Sequence, residues 1–353
     1  VSSDKPVGLL QVAELAGVST ATAGRILGGY GTTKSRHEAV VREAAERLGY
    51  RHRAQSASTM LRTIALVVSD IENPFFARLA RGVSHLTEGN GVQVMIANTD
   101  EDVEIERRVL RAAEERRLDG LIIAPVGPRS LDALHAVQDK GIPIVLVDRN
   151  LERLDVDSFT IANRESARSA VQTLIDAGHQ SIAIATGSSA MAPTDGTVST
   201  SYARKLGYLD ALAAAGIAPD ERYVRVGDHR IASAFAEMQA LLSLREPPTG
   251  IFTTDMKITI GVMQALHEAG LVVGRDVGLA VFDDPDWGQL LPSPLTGISQ
   301  PAQEMGEQAA ARLLARMEGD TGRPVQTVMD ATLNVRESHR MAGLAAARRI
   351  SPR

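Results

Sequence analysis

"LLQVAELAGVSTATAGRILGG" occupies residues 9–29 and holds two helical patterns, each too short to stand alone, joined at one glycine. Isolated helices shorter than roughly 12–15 residues are marginal in water, so these two must be completed by packing or by a partner. In the first half Leu10, Ala13 and Ala16 recur at a spacing of three, with Leu9, Val12 and Leu15 alongside, and Ala13 is small enough to let a second helix approach. Gly17 tolerates a positive φ in the turn, Val18 packs, and Ser19 is placed to cap the next helix. "TATAGRIL" then turns Ala23, Ile26 and Leu27 inward. "RHEAVVREAAERLGY" adds a third helix with Val40, Val41, Ala44, Ala45 and Leu48 inward and Gly49 as a stop signal.

This pattern predicts a helix-turn-helix domain over residues 1–50. In such a motif the second helix enters the DNA major groove with its N-terminal side chains at base edges. The exposed face of that helix offers Thr20, Ala21, Thr22 and Arg25. Ala21 can only touch a thymine methyl or tolerate a base, whereas Arg25 can grip guanine in bidentate fashion or hold a phosphate. The helices are short because the groove completes the site. Charge agrees: residues 1–62 carry a formal +4 and the remaining residues −9, the profile of a polyanion-binding head on an acidic body.

At roughly 100–200 residues per domain, a chain of 353 residues holds two or three domains. Its 44% hydrophobic and 23% charged content is that of a globular protein. The absence of cysteine excludes disulfides and thiolate chemistry. No apolar run is long enough to span a bilayer, and "VSSDKPVGLLQVAEL" does not read as a basic segment leading into an apolar signal core. A cytoplasmic protein with no membrane partner is expected.

Beyond residue 62 the rhythm changes. "TIALVVSD" (63–70), "VQVMIANTD" (92–100), "LDGLIIAPV" (118–126), "IPIVLVD" (142–148) and "SFTIAN" (158–163) are short, near-continuous apolar runs suited to strands buried on both faces of a parallel sheet. Amphipathic stretches such as "EIERRVLRAAEERR" separate them. The series repeats with "QSIAIATG" (180–187), "YVRVGD" (223–228), "TGIFTTD" (249–255), "VGLAVFDD" (277–284) and "LTGISQ" (295–300). Two α/β lobes therefore follow the head, and a ligand is expected in the cleft between them, beyond the carboxyl ends of the strands. The side chains just after the strands include Asp70, Asn98, Asp100, Arg149, Asp255 and Asp283.

Enzymatic motifs are missing. No GxGxxG follows a strand, and there is no P-loop, GxSxG or HExxH. His179 falls in a helix-to-strand turn and reads as structural. Asp283 and Asp284 are adjacent, so on a strand they point to opposite faces and do not form a catalytic pair. Neither a cofactor nor a metal is expected.

"VAELAGVSTATAGRIL" resembles the signature of the LacI/GalR family of bacterial transcription regulators. "DIENPFFARLARG", "IANTDED", "RRLDGLIIAP", "LIDAGHQSIAIATG" and "FDDPDW…LLPSPLTGISQPAQEMG" resemble the blocks of that family in their usual order. The resemblance implies an all-α helix-turn-helix domain followed by a two-lobed, periplasmic-binding-protein-like effector domain with parallel sheets. It implies a homodimeric repressor on a palindromic operator of double-stranded DNA, controlled by a small effector in the cleft. Ser19, Thr20, Ala21, Thr22 and Arg25 then fall at DNA-contacting positions. Met60 or Leu61 falls where the family's hinge helix wedges a side chain into the minor groove. Asp70, Phe75, Phe76, Asp100, Arg149, Arg204, Asp255, Asp283 and Trp287 fall at effector-pocket or near-pocket positions. Paired carboxylates and arginines suit vicinal hydroxyls and aromatic faces suit a sugar ring, so a sugar is the expected effector, with a nucleobase or nucleoside as the alternative.

Several residues depart from that pattern. Gly24 and Gly28 replace a Ser and an Asn-like residue, and "HRAQSASTMLR" differs from the family's hinge. Residues 51–62 are read as hinge and 63–353 as effector domain. Lobe 1 is expected over about 63–161 plus 294–322, and lobe 2 over about 162–293 plus 323–340. The tail "MAGLAAARRISPR" is too short for three heptads, which points to a dimer rather than a zipper-made tetramer.

Overall fold

The computed structural model describes residues 9–27, 37–48, 62–115, 118–187 and 199–341. Met60, Leu61 and the tail beyond Met341 lie outside the described residues, as do the side chains of Ala21 and Arg25. The chain separates into two compact units between Arg62 and Thr63.

The first unit contains α1 (Leu9–Ala16), α2 (Thr20–Leu27) and α3 (Glu38–Arg47). Its core is made of small side chains: Val12, Ala13, Ala16, Ala23, Val41, Ala44 and Ala45, edged by Leu9, Val18, Ile26, Leu27 and Leu48. Gly17 adopts φ +64 and Val18 N–H donates to Ala13 O at 3.0 Å, which closes α1 and turns the chain. The Ser19 hydroxyl accepts from Thr22 N–H at 3.1 Å and caps α2. Leu10, Leu15 and Val40, expected inward, are instead 59%, 49% and 45% exposed. Helices of two to three turns have room for one buried stripe, and Val12 and Val41 occupy it. A Cβ on Gly24 would lie 3.3 Å from Leu9 Cδ2, so this glycine faces α1.

The second unit is built on two six-stranded sheets. The first sheet contains β1 (Arg62–Val68), β2 (Val92–Asn98), β3 (Gly120–Ile123), β4 (Ile144–Val147), β5 (Asp157–Ile161) and β11 (Gln326–Met329), in the order β11-β5-β4-β3-β1-β2. The second contains β6 (Ile182–Gly187), β7 (Val224–Gly227), β8 (Gly250–Thr253), β9 (Gly278–Phe282), β10 (Thr296–Ser299) and β12 (Thr332–Asn334), in the order β12-β10-β9-β8-β6-β7. β12 runs antiparallel to β10, while β6 pairs in parallel with both β7 and β8. In each sheet the strand order reverses beside its first strand, β1 or β6. That switch point opens a crevice at the carboxyl ends.

Strand pairing moves the expected lobe boundaries. β10 pairs with β9 in the second lobe, and β11 pairs with β5 in the first. The chain therefore crosses between lobes three times: after β5, after β10, and between β11 and β12. The strands β11 and β12 escaped the sequence reading because they are short and half-exposed edge strands. Ion pairs hold their surroundings: buried Asp157 accepts from Arg312 Nε at 2.9 Å, Arg316 Nε at 2.7 Å and Val325 N–H at 2.8 Å. In the other lobe Asp284 is bridged by Arg336 Nη2 at 2.7 Å and Asn334 Nδ2 at 2.9 Å.

Helices cover the sheets in closely packed pairs. α4 (Pro74–Glu88) lies against α11 (Ala302–Met317), and α7 (Asn163–Asp176) against α8 (Thr200–Ala214). The remaining helices are α5 (Val103–Glu115), α6 (Leu131–Asp139), α9 (Ile231–Leu242) and α10 (Met256–Glu268). Glycine permits the first contact: a Cβ on Gly82 would sit 2.0 Å from Gln303 O, and one on Gly306 2.2 Å from Leu79 O. His179 joins two parts of the second lobe: its Nδ1 contacts Thr249 Oγ1 at 3.0 Å and its Nε2 donates to His339 O at 3.1 Å.

Gly306→Ala is expected to destabilise the second unit by about 1–3 kcal/mol, the usual range for overpacking a tight contact. Gly89→Ala, where an added Cβ meets nothing within 4 Å, is the matched control and should change little. Denaturant unfolding of the two variants checks this.

Candidate functional site

The crevice is a cavity of about 690 Å³ lined from both lobes of the second unit. Strand ends supply most of its polar side chains. From the first lobe come Asp70 after β1, Asp100 and Glu101 after β2, and Asp148 and Arg149 after β4. From the second come Asp228 and His229 after β7, Asp255 after β8 and Asp283 after β9, with Gln300 following β10. Arg204 reaches in from the first turns of α8, and Lys257 from the start of α10.

The backbone marks the same place. Among the described residues, the non-glycine residues with positive φ are Asp100 (+51), Glu101 (+58), Asp148 (+65) and Asp283 (+67). All four line the cavity. Such conformations cost about 1–3 kcal/mol each and persist where surrounding structure enforces them, commonly at functional sites.

Phe75 and Phe76 enter α4 behind Asn73, whose side chain accepts from Phe75 N–H at 3.0 Å, and Pro74, which suits the first helical position. The two rings meet edge to face with centroids 4.9 Å apart, giving the floor an apolar surface. On the opposite wall Arg204 is buried. Its Nε donates to Asn163 Oδ1 at 2.8 Å, its Nη1 donates to Thr254 O at 2.7 Å, and its guanidinium stacks 3.7 Å above the Phe282 ring.

The charges are closely matched. Arg149 donates to both Glu101 oxygens, at 2.7 Å from Nη1 and 2.5 Å from Nη2, and to Pro125 O at 3.1 Å. Burial would lift Glu101, but the Arg149 charge and hydrogen bonds hold it below the ordinary carboxylate range. His229 Nδ1 lies 2.8 Å from Asp255 Oδ2. Burial would lower that imidazole, yet the Asp255 hydrogen bond and charge prevail and raise it. Asp255 also caps α10 through Ile258 N–H at 2.9 Å. Lys257 of the second lobe pairs with Asp70 at 2.7 Å and Glu72 at 2.8 Å, spanning the cavity mouth to the first lobe. Asp148 and Asp283 are the under-neutralised members. Burial raises Asp148, and burial pushes Asp283 up to about 6 against the pull of Arg204 and of Gln300, which donates from Nε2 at 2.5 Å.

Of the expected pocket residues, Asp70, Phe75, Phe76, Asp100, Arg149, Arg204, Asp255 and Asp283 line the cavity. Trp287 does not. It lies in the short 3-10 turn Asp286–Leu290, half-buried against the core of the second lobe. The reading missed Glu101, Asp148, His229, Lys257 and Gln300. Four of these stand within three residues of a strand end, so the rule that found Asp70 and Asp255 would also have found them. In the first unit Ser19 and Thr20 are exposed and Thr22 is half-buried on α2. Among the described residues no group of three or more His or carboxylate side chains is arranged to hold a metal ion, and no helix is long and apolar enough to cross a membrane.

A paired α/β fold with a polar cleft between its lobes defines the periplasmic-binding-protein class of small-ligand receptor. The chain matches the family described as "Periplasmic binding proteins and sugar binding domain of LacI family" over residues 61–334, and it belongs to the LacI family. It is 32% identical over 344 residues to the HTH-type transcriptional regulator PtxS of Pseudomonas aeruginosa, covering 94% of this chain and 95% of that protein. It is 30% identical over 333 residues to the HTH-type transcriptional repressor CytR of Escherichia coli, covering 93% and 95%. Among solved structures, the transcriptional regulator CelR–cellobiose complex matches with TM-score 0.69 and 29% identity over 94% of this chain and 99% of that one. The Lac repressor dimer bound to operator shares the fold, with TM-score 0.75 at 24% identity over 95% of this chain. The protein is thus a transcriptional regulator and not an enzyme.

An unfolded aspartate releases its proton near 3.8, whereas folded Asp283 holds it up to about 6. The native state therefore binds the extra proton between those values, and this residue's contribution to stability falls as pH rises through that window. Asp283→Asn, which keeps an acceptor for Gln300 and tolerates positive φ, should remove a fall of about 3 kcal/mol at most. Denaturant melts of both proteins from pH 4 to 8 measure the difference.

Proposed function

We propose that the protein is a homodimeric repressor whose first unit reads a palindromic operator and whose cleft binds a small polyhydroxylated effector, a sugar or sugar derivative, that alters operator affinity. The observation that supports this most is the cleft itself. Buried carboxylates, an arginine and a pair of phenyl rings converge on one cavity large enough for a small sugar. Carboxylates and guanidinium groups bind vicinal hydroxyls in pairs, and the rings offer an apolar face to a pyranose or furanose. The cellobiose in the CelR complex is in keeping with that chemistry.

For DNA, Ser19, Thr20, Ala21, Thr22 and Arg25, at and after the start of α2 in the chain, are proposed as the contacting residues. The capping bond of Ser19 uses its hydroxyl on Thr22, which fixes the geometry of the helix end that meets the groove. Met60 or Leu61 is proposed as the minor-groove wedge. Dimerisation is supported by the first lobe, where β2 is an edge strand and Met95, Ile96 and the neighbouring Ile71 are 38%, 47% and 51% exposed. An open apolar strand edge favours association with another surface. Operator DNA places the work of the protein in the cytoplasm.

Effector coupling requires only about 1–3 kcal/mol to change operator affinity 5–150-fold. Two crossings between lobes are tied to the cavity. Asn163, at the first crossing, accepts from Arg204, and Gln300, at the second, donates to Asp283. A ligand on Arg204 and Asp283 therefore acts on the crossings that set the lobe arrangement.

Fluorescence anisotropy against promoter-proximal palindromes tests the DNA half: Arg25→Ala should weaken binding by about tenfold or more, and affinity equal to wild type would remove Arg25 from the interface. Arg204→Ala and Asp255→Asn should abolish the effector response while leaving effector-free DNA affinity within about threefold. Parallel loss of DNA binding in both would show that these residues serve the fold instead.

A further inference from the structure

Arg149 is the guanidinium most obviously placed to anchor an acidic ligand, since it lies in the cavity wall directly after β4. Glu101 has taken it. Both carboxylate oxygens of Glu101 engage the two terminal nitrogens of Arg149, Pro125 O accepts a further bond, and Asp148 stands 3.4 Å from Nε. To reach that position Glu101 adopts φ +58, a conformation L side chains rarely hold. A carboxylate set there by strained backbone, fully engaged with one guanidinium, is a specific feature of this wall.

Two other cations on the cavity are also paired. Lys257 is taken by Asp70 and Glu72, and His229 by Asp255. Arg204 donates to Asn163 Oδ1 and Thr254 O rather than to a carboxylate, and exposed Arg230 stands with Nε 3.7 Å from Asp228. Over the described lining, eight carboxylates face four Lys/Arg side chains and His229. An anionic ligand would enter a partly desolvated space where Arg149, Lys257 and His229 are already paired and where carboxylates outnumber cations. Arg204 alone would answer its charge against repulsion from that excess, a costly arrangement in a low-dielectric site. Uncharged hydroxyls face no such penalty, because they donate to the carboxylates as they stand.

We propose that Glu101 is a specificity-determining residue that, by occupying the Arg149 guanidinium, commits the cleft to uncharged hydroxyl-rich ligands and shuts out carboxylated and phosphorylated ones. The proposal rests on the cleft being the effector site, and it adds the charge class of the effector. Building a mismatch against the unwanted ligand is a general route to selectivity.

The test compares the full-length protein with Glu101→Gln by calorimetry and thermal shift. The probes are inorganic phosphate and two matched sets: glucose, glucuronate and glucose 6-phosphate; ribose and ribose 5-phosphate. In the wild type, any set that binds should do so in its neutral form, with the charged forms weaker by about a hundredfold or undetectable. Glu101→Gln should bind phosphate about tenfold or more tighter than wild type and narrow the preference for neutral over charged sugars by a similar factor. Adding Arg149→Gln to that variant should abolish the gain. Glu101→Asn, an uncharged residue that accepts positive φ, replaces Glu101→Gln if the latter does not fold. Wild-type binding of a charged sugar at or above the affinity of its neutral counterpart overturns the proposal, as does a phosphate affinity that Glu101 substitution leaves unchanged. If no sugar binds either protein while phosphate binding still appears on substitution, the sugar-effector reading fails and the charge filter stands.

Discussion

Buried acids at the carboxyl ends of parallel strands are the constraint around which the second unit is arranged. Asp148, Asp255 and Asp283 are each less than a tenth exposed, and an isolated carboxylate in such surroundings is strongly disfavoured. The unit answers with Arg149, Arg204, Lys257 and His229, each reaching the strand ends from a different element. Where the answer falls short, at Asp148 and Asp283, the carboxyls hold their protons to higher pH. Left-handed backbone at the same residues adds local strain, and the surrounding sheets and helices must absorb it. They can do so because the helices pack at glycine distance and the sheet interiors are fully buried. A looser scaffold would relax the turns and let the charges find water.

The architecture was legible because its signal is periodic. Near-continuous apolar runs separated by amphipathic stretches mark doubly covered parallel strands, and the ten runs identified in the sequence became β1 to β10. The strands β11 and β12 carried no such signal: Val328 of β11 is 62% exposed, and these segments are held by partner strands and by Asp157 and Asp284, contacts that bring together residues far apart in the chain. For the same reason the lobe boundary was misplaced around β10, since pairing with β9 rather than local composition decides its sheet. In the small first unit the helices were correctly phased in part only. Alanine-rich stripes leave periodicity weak, so Leu10, Leu15 and Val40 could not be told from core by pattern.

Polar residues that follow strands carried the legible part of the cavity, though Asp148 and Gln300, each directly after a strand, were passed over. That rule located Asp70, Asp100, Arg149, Asp255 and Asp283. It was applied too narrowly to reach Glu101 or His229, whose significance lies in their partners, Arg149 and Asp255. Pairing across lobes or between loops has no signature along one chain. Trp287 is the opposite case: an unusual residue near a strand end attracts attention, yet its ring packs against the second-lobe core and is not in the cavity lining. Scarcity of a residue type says little about where its side chain points.

The bonds from Asn163 to Arg204 and from Gln300 to Asp283 place cavity and crossover on shared atoms. In the proposed mechanism occupancy and posture are therefore not linked by a long relay that must be kept intact residue by residue. A lineage can rebuild the outer wall of the cleft for a new metabolite and, so long as the newcomer leans on that same arginine and aspartate, inherit a working signal. Diversification of what is sensed and preservation of how it is reported become separable tasks for selection.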